Sequence, residues 1–344
     1  MEFSFIIPIY NIEGDVINAC IDSIKSQNID ESYEIILVDD GSDRNVKQVC
    51  MDIIENNSNI KYYYQENSGS AVARNLGLAK SNGKYILFVD ADDQLAENFY
   101  SELKRISYSK YDFLIFDYCF WKKDSIEVFT FKNEKDFIND KNDILSNILF
   151  YPGKMNNFMF GSIWGKMFSK EYLDKYEIRF TPKLRKAQDR MFMLQVINNA
   201  TNIEYCPILE YKYRINISSI THKKNDKMVD YYYELYNEII KYCNEYHIEH
   251  EITKFLEYNI INEILPLTIF HANSNENIRV KKKKYRELTE KFNLKEALKY
   301  IKYSDVPTKK GKVKLFLFKN NFVYCIYAFY KSITKKAVKK EFNK

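Results

Sequence analysis

Three carboxylates fall within four positions at Asp90-Ala91-Asp92-Asp93, directly after the apolar run Tyr85 to Val89. On extended backbone, residues two apart point to the same side, so Asp90 and Asp92 can share one target while Ala91 leaves room for it. Two hard oxygen donors of this kind suit Mg2+ or Mn2+ bridging a substrate's phosphates. Like charges this close repel unless a cation sits among them or water surrounds them. The plain alternative is a solvated acidic turn, with Asp93 as N-cap of a helix over residues 96–105.

Two other polar clusters have the same setting. Asp39-Asp40-Gly41-Ser42 follows a short apolar run and offers acceptors for the N–H groups of a base or for ribose hydroxyls, with Gly41 permitting a tight turn. An ordinary Asp-Gly turn before a helix is its bland counterpart. Asn67-Ser68-Gly69-Ser70, followed by Arg74-Asn75, can place a cation and an amide near a phosphate. Taken alone, Arg74 reads as a residue on a solvated helix face.

The elements that must position these groups alternate in type. Strands are expected at Phe3 to Ile9, Glu34 to Val38, Ile60 to Tyr64 and Tyr85 to Val89, with helices at Val16 to Gln27, Val46 to Asn57 and Ala71 to Lys80 between them. Strand–helix alternation with short connections predicts an α/β fold with a mostly parallel sheet flanked by helices. In such sheets ligands bind at the carboxyl ends of the strands. The polar clusters lie there, as does Pro8-Ile9-Tyr10-Asn11. A further strand is expected at Asp112 to Phe120 and a helix at Asp140 to Phe150. From Asp226 to Phe270 the pattern is mostly helical, so a boundary is placed near residue 222.

The 344 residues are 46% hydrophobic, enough for one large core or two modest ones. Six scattered cysteines with no CxxC pair fit reduced thiols better than a disulfide framework or a zinc site. His247 and His250, three apart, find no third soft ligand nearby and read as helix surface. The N-terminus runs directly into a strand with no basic n-region, so no signal peptide is expected. Net charge is +5, yet Lys281 to Lys344 carries 20 Lys/Arg against 5 Asp/Glu, leaving the preceding residues at −10. A basic tail on an acidic body points to an anionic surface. Its aromatics come in runs rather than as a spaced stacking platform, which disfavours nucleic acid.

Together these stretches resemble the family 2 glycosyltransferases of the GT-A fold. Phe3 to Asn11 is similar to that family's opening strand and P-x-Y-N turn. VDDGS (38–42), ENSGSAVARN (66–75) and FVDADD (88–93) resemble its further signature stretches in the same order. The likeness is strong over about the first 110 residues. It continues loosely through GSIWGKMFSKEYL (161–173), KAQDRMFM (186–193) and YRINISSIT (213–221). The resemblance implies a nucleotide-sugar donor, a UDP-sugar by preference, together with a Mn2+ or Mg2+ cofactor and an inverting mechanism. The acceptor it implies is a hydroxyl of a cell-surface polysaccharide or lipid-linked glycan.

By the same resemblance, residues 1–110 bind the donor, residues 111–222 form the acceptor side, and residues 223–344 make a helical C-terminal region. Pro8, Tyr10, Asn11, Asp39 and Asp40 would line the nucleoside pocket, with Asn67, Gly69, Arg74 and Asn75 beside the phosphates. Asp90 and Ala91 would approach the ribose, and Asp92 with Asp90 the metal. Asp189 falls at the family's catalytic base, although Gln188 stands where a Glu-Asp pair would have its first carboxylate; a helix N-terminal Asp favoured by the dipole is the alternative. Arg214 and Ser219 resemble a loop that closes over the diphosphate. No Q-x-x-R-W stretch of processive synthases is present, which argues for one sugar per encounter.

Two rival classes remain at this stage. A nucleotidyltransferase shares nucleotide and metal but needs a Gly/Lys/Arg-rich loop after its first strand, which PIYNIEGD lacks. A catalytically silent nucleotide-sugar-binding module would not need the carboxylates. The expected setting is cytoplasmic, with the tail a candidate for the inner membrane face. Self-association is left open.

Overall fold

The computed structural model describes residues 1–122, 125–129, 141–149, 159–215, 225, 227–271 and 274–331. The chain divides into two compact units: residues 1–144 with 157–216, and residues 145–156 with 217–344.

The first unit begins with β1 (Phe3–Ile9), α1 (Gly14–Lys25), β2 (Tyr33–Asp39), α2 (Arg44–Glu55), β3 (Ile60–Tyr64), α3 (Ser70–Lys80) and β4 (Tyr85–Phe88). These match the expected elements to within two residues at each end. Continuous apolar runs make β1, β2 and β4 strands buried on both faces, as parallel sheets require. Each fully buried Ile, Leu or Phe among them contributes about 1.5–3 kcal/mol. Asp43 caps α2, accepting from the backbone N–H groups of Asn45 and Val46. At the far end of the strands, Glu34 is buried and bonded by Ser4 Oγ, Lys61 Nζ and the Asn82 N–H, tying β1, β2 and β3 together.

After β4 come β5 (Gln94–Leu95), α4 (Phe99–Leu103), β6 (Phe113–Lys122), β7 (Ser125–Phe129), α5 (Lys141–Ile148), β8 (Lys166–Ser169), α6 (Lys170–Lys175), α7 (Gln188–Asn199) and β9 (Ile203–Arg214). All nine strands form one sheet in the order β3-β2-β1-β4-β8-β6-β9-β5, with β7 paired to β6. Strands β3, β2, β1 and β4 are mutually parallel. Strand β8 enters antiparallel beside β4, and β6 and β9 then run parallel to each other. The sheet is therefore mixed beyond β4, a feature that the early alternation did not announce.

Four phenylalanines lock the second half to the first. Phe88 of β4 meets Phe168 of β8, Phe180 and Phe192 of α7 at ring-centroid distances of 5.9, 5.4 and 5.7 Å. Phe180 and Phe192 stack at 4.2 Å. This cluster sets the start of α7 beside the carboxyl end of β4.

The second unit is helical, with α8 (Met228–Glu245), α9 (His250–Thr253), α10 (Leu256–Leu267), α11 (Ile278–Lys291), α12 (Leu294–Tyr300) and α13 (Lys309–Lys319), followed by a helical stretch over residues 323–331. No helix among the described residues is long and apolar enough to cross a membrane. All six cysteines are free thiols. His250 packs edge-on against Tyr300 at 4.7 Å, consistent with a surface role.

Candidate active site

The carboxyl ends of β1, β2 and β4 are held by short side-chain bonds to their own loops. Asp39 is fully buried and accepts from the Ser42 N–H at 2.8 Å and from Tyr62 Oη at 2.7 Å. Asp40 binds the next loop, accepting from the N–H groups of Ser68 and Gly69 and from Gln65 Nε2. Gly41 and Gly69 both have positive φ, and a Cβ on Gly41 would lie 2.7 Å from the Asn67 nitrogen. Only glycine lets these two loops approach so closely. Asn11 joins the same group by accepting from the Asp43 N–H, while Tyr10 stands half exposed at the end of β1 and Pro8 lies within that strand.

The structure places a protein cation, Arg74, beside Asp90. It is buried, not on a solvated helix face. Its Nη2 donates to Asp90 Oδ1 at 2.7 Å, and its Nη1 lies 3.4 Å from Asp189 Oδ1. Phe180 backs the guanidinium at 5.6 Å. With its amide oxygen turned toward the arginine, Gln188 accepts from Nη1 at 2.9 Å. A neutral amide at 188 gives Nη1 a further acceptor without adding a third negative charge to Asp90 and Asp189, while the buried Nε has no hydrogen-bond partner among the described residues. One buried arginine thus bridges the turn after β4, 16 positions downstream of it, to the first turn of α7, 115 positions downstream of it. Asn75 does not face the site in the way the amide reading supposed. Its amide donates to the Phe180 carbonyl and accepts from the Phe180 N–H, clamping α3 to the approach to α7.

Asp93 is not a helix N-cap. Helix α4 starts at Phe99 after a left-handed Asn98 with no side-chain cap. Asp93 is instead buried, accepting from Tyr211 Oη at 2.8 Å and from the Arg214 N–H at 2.7 Å. The same Tyr211 hydroxyl accepts from the Asp90 N–H at 3.0 Å, and its ring stacks on Trp164 at 4.9 Å with planes 8° apart. Tyr211 therefore ties the carboxylate turn to β9. Arg214 sits over Trp121, its guanidinium 4.9 Å from the ring, with a buried Nε that has no hydrogen-bond partner among the described residues. Ala91 is buried, as a small spacer between Asp90 and Asp92 should be. Ser219 lies outside the described residues.

Electrostatics follow from this packing. Burial raises the Asp92 carboxyl above the ordinary range, the Asp90 charge adds to that, and Arg214 pulls it back. Asp93 is pushed up strongly, by burial first and then by Asp90 and Asp92. Asp189 keeps 27% of its side chain accessible. Its carboxyl is raised by burial, lowered by Arg74, raised by Asp90 and lowered by Lys166 and Lys186. Lys166 is fully buried against the Met159 and Trp164 carbonyls and Ser162 Oγ, each at 3.3 Å. Burial drives its ammonium down to about 7, opposed by the charges of Glu210 and Asp189.

The donor set fits a divalent cation. Asp92 and Asp90 supply hard oxygens, and the raised Asp92 carboxyl has no side-chain partner among the described residues. No cluster of three His, Cys, Asp or Glu side chains placed to hold a metal occurs among the described residues, so donors beyond these two would come from substrate or water.

Residues 4–176 match the family described as Glycosyl transferase family 2. The chain belongs to this family. Among family members, the poly(ribitol-phosphate) β-N-acetylglucosaminyltransferase TarP of Staphylococcus aureus is 30% identical over 250 residues, covering 70% of this chain and 71% of TarP. The glycosyltransferase EpsH of Bacillus subtilis, described as putative, is 24% identical over 260 residues, covering 75% of this chain and 74% of its own. The fold is that of S. aureus TarS residues 1–349 in complex with UDP-GlcNAc, with a TM-score of 0.65 at 17% identity, covering 98% of this chain and 92% of the other. The glycosyltransferase reading and the GT-A architecture expected from the signature stretches therefore hold. Tyr211, Lys166, Gln188 and the structural use of Asp93 were not foreseen. The only sequence cue to Tyr211 was its position two residues before the YR of the loosely similar stretch 213–221.

Proposed function

We propose that this enzyme transfers one sugar from a nucleotide-sugar, a UDP-sugar in the first instance, to a hydroxyl of a cell-surface polysaccharide or glycolipid, with inversion at the anomeric carbon. The observation that carries the proposal is the Asp90–Arg74–Asp189 bridge, which holds one partly accessible carboxylate on α7 against the carboxylate turn of the parallel sheet. The names of two relatives point to the same substrates, one acting on poly(ribitol-phosphate) and one binding UDP-GlcNAc.

Asp189 Oδ accepts the acceptor hydroxyl's proton while that oxygen bonds to the anomeric carbon and the bond to the diphosphate oxygen breaks. One displacement by one base inverts the centre, so an α-linked donor gives a β-linked product. Raising Asp189 above the usual carboxylate range makes it a stronger proton acceptor at neutral pH. Arg74 fixes the direction of that carboxylate and holds Asp90 in place. Tyr10 and the loops fixed by Asp39 and Asp40 offer a wall and backbone groups for the nucleoside, with Asp39 acting from behind that wall because both of its oxygens are already bonded. Asp92 with Asp90 would hold Mn2+ or Mg2+, which when bound neutralises charge on the departing diphosphate.

The test is incubation of the purified protein with UDP-GlcNAc, UDP-glucose and GDP-mannose in Mn2+, with a polyol-phosphate or glycan acceptor. Released nucleotide is measured, together with the anomeric configuration of the product by NMR. Acceptor-dependent UDP release with a β-product is expected. Release of nucleotide from none of the donors, with no thermal stabilisation by any of them, would overturn the reading. Retention of configuration would overturn the role of Asp189 alone.

A further inference from the structure

The apolar runs of the basic tail divide sharply into a buried half and an exposed half. In α13 and the helical stretch 323–331, Leu315, Phe318, Val323, Ile326 and Tyr330 face inward. Phe318 meets Tyr258 and Tyr285 at 5.2 and 6.3 Å, and Tyr330 Oη bonds Asn262 Oδ1. This half is core of the second unit and is not available to any partner. Val313, Phe316, Phe322 and Tyr324 remain outside, between 46% and 57% exposed. Phe316 and Phe322 touch at 5.9 Å, so the outer residues of the two helices join into one patch.

The side-chain charge carried by these two helices themselves has one sign. Residues 306–340 contain no Asp or Glu, and six lysines lie between 309 and 331. Lys309, Lys312, Val313 and Phe316 recur at three- and four-residue spacing, which puts them along one helix face. Lys309 and Lys312 are exposed.

We propose that this patch docks on an anionic phospholipid surface, with Phe316 and Phe322 entering the headgroup region and the lysines facing lipid phosphate. A two-fold pairing of this patch with itself fits poorly, since it would set lysines against lysines. Nucleic acid fits poorly as well, because the two phenylalanines meet edge to face at 65° and present no parallel platform for bases. Helices this short lie in the interface and do not span it. The inference rests on the second unit alone and is independent of how the donor site is read.

The test is co-sedimentation of the full-length protein with vesicles in the absence of any sugar donor. On mixed phosphatidylcholine–phosphatidylglycerol vesicles at low salt the protein should sediment, and on phosphatidylcholine alone it should stay in solution. The double variant Phe316→Ser/Phe322→Ser should lower the partition coefficient by about tenfold or more, because two apolar anchors are lost. Its thermal unfolding should shift by only a few degrees, since about half of each side chain is already in water. A chain ending at Lys331 keeps the patch and should still bind. The proposal is overturned if the double variant sediments like the wild type, if binding disappears with residues 332–344 while the patch is intact, or if neither protein sediments at low salt. It is also overturned if the wild type self-associates and the double variant does not, with no vesicle binding by either.

Discussion

At the scale of the residue, Arg74 is the pivot, because a buried guanidinium with two carboxylates cannot lose either partner without cost. Asp92 lies beside this pair and not within it, and its environment penalises its charge. Asp92→Asn keeps the shape and removes that penalty. Metal-dependent turnover should fall by roughly a hundredfold or more. Thermal stability without metal should stay the same or rise; near-normal turnover at limiting Mn2+ would remove Asp92 from the metal site. Asp189→Asn should lower transfer by roughly a hundredfold or more and leave donor affinity, read by calorimetry, almost intact, since the base acts on the acceptor. The pH dependence has a definite sign. The base works only when ionised and burial raises its carboxyl, so kcat should climb with pH through a limb above the usual carboxylate range. That limb should be absent from the residual rate of the Asn variant. A limb at the ordinary carboxylate position would mean that Asp189 is not the group titrating.

At the scale of the element, β9 does more than extend the sheet. Tyr211 couples the Asp90 turn to the strand that leads toward residues 216–221, through Asp93 and the Arg214 N–H. Tyr211→Phe keeps the ring on Trp164 but leaves the Asp90 N–H and one Asp93 oxygen without that partner. Urea unfolding should show a loss of about 1–3 kcal/mol, the cost of unsatisfied buried groups. Donor KM should rise more than kcat falls; an unchanged KM would show that the turn is held elsewhere. Lys166 of β8 gives a second prediction. Its ammonium is lowered to about 7 from 10.5, so between those values the unfolded chain holds a proton that the folded chain has released. Stability of the wild type relative to Lys166→Met should therefore increase with pH across this window, by up to about 1.4 kcal/mol per pH unit. The penalty of the buried charge is fully present below pH 7. A flat difference across the window would mean the lysine titrates normally.

The elements also show what sequence pattern can and cannot carry. Strands β1 and β3 coincide with their expected bounds, and the other early strands and helices lie within two residues of theirs, because local apolar periodicity decides them. Asp93 was misplaced because a carboxylate ahead of a helix looks like a cap. Its real partners come from 118 and 121 residues downstream, and no window of sequence contains them. For Arg74, the bland reading of α3 as a solvated face does not hold, because the phenylalanine cluster at Phe180 brings α7 over it.

At the scale of the whole molecule, the first unit was readable because its signature stretches follow strands in a fixed order, which the carboxyl-end rule turns into a site. The second unit offered composition only, and composition could not tell Phe318, which is core, from Phe316, which is not. Donor recognition is nevertheless a property that the intact chain should report. A ligand that binds only the folded state adds RT ln(1 + [L]/Kd), about 2.7 kcal/mol at a hundred times Kd. With Mn2+ present, UDP-GlcNAc or another UDP-sugar should raise the unfolding temperature of the full chain by several degrees, and GDP-mannose by much less. Asp39→Asn should reduce that shift for every nucleotide if Asp39 serves the nucleoside pocket, whereas Asp189→Asn should leave it in place. An equal shift for all nucleotides in the wild type would mean that the pocket reads diphosphate and not base, and the UDP preference would have to be withdrawn.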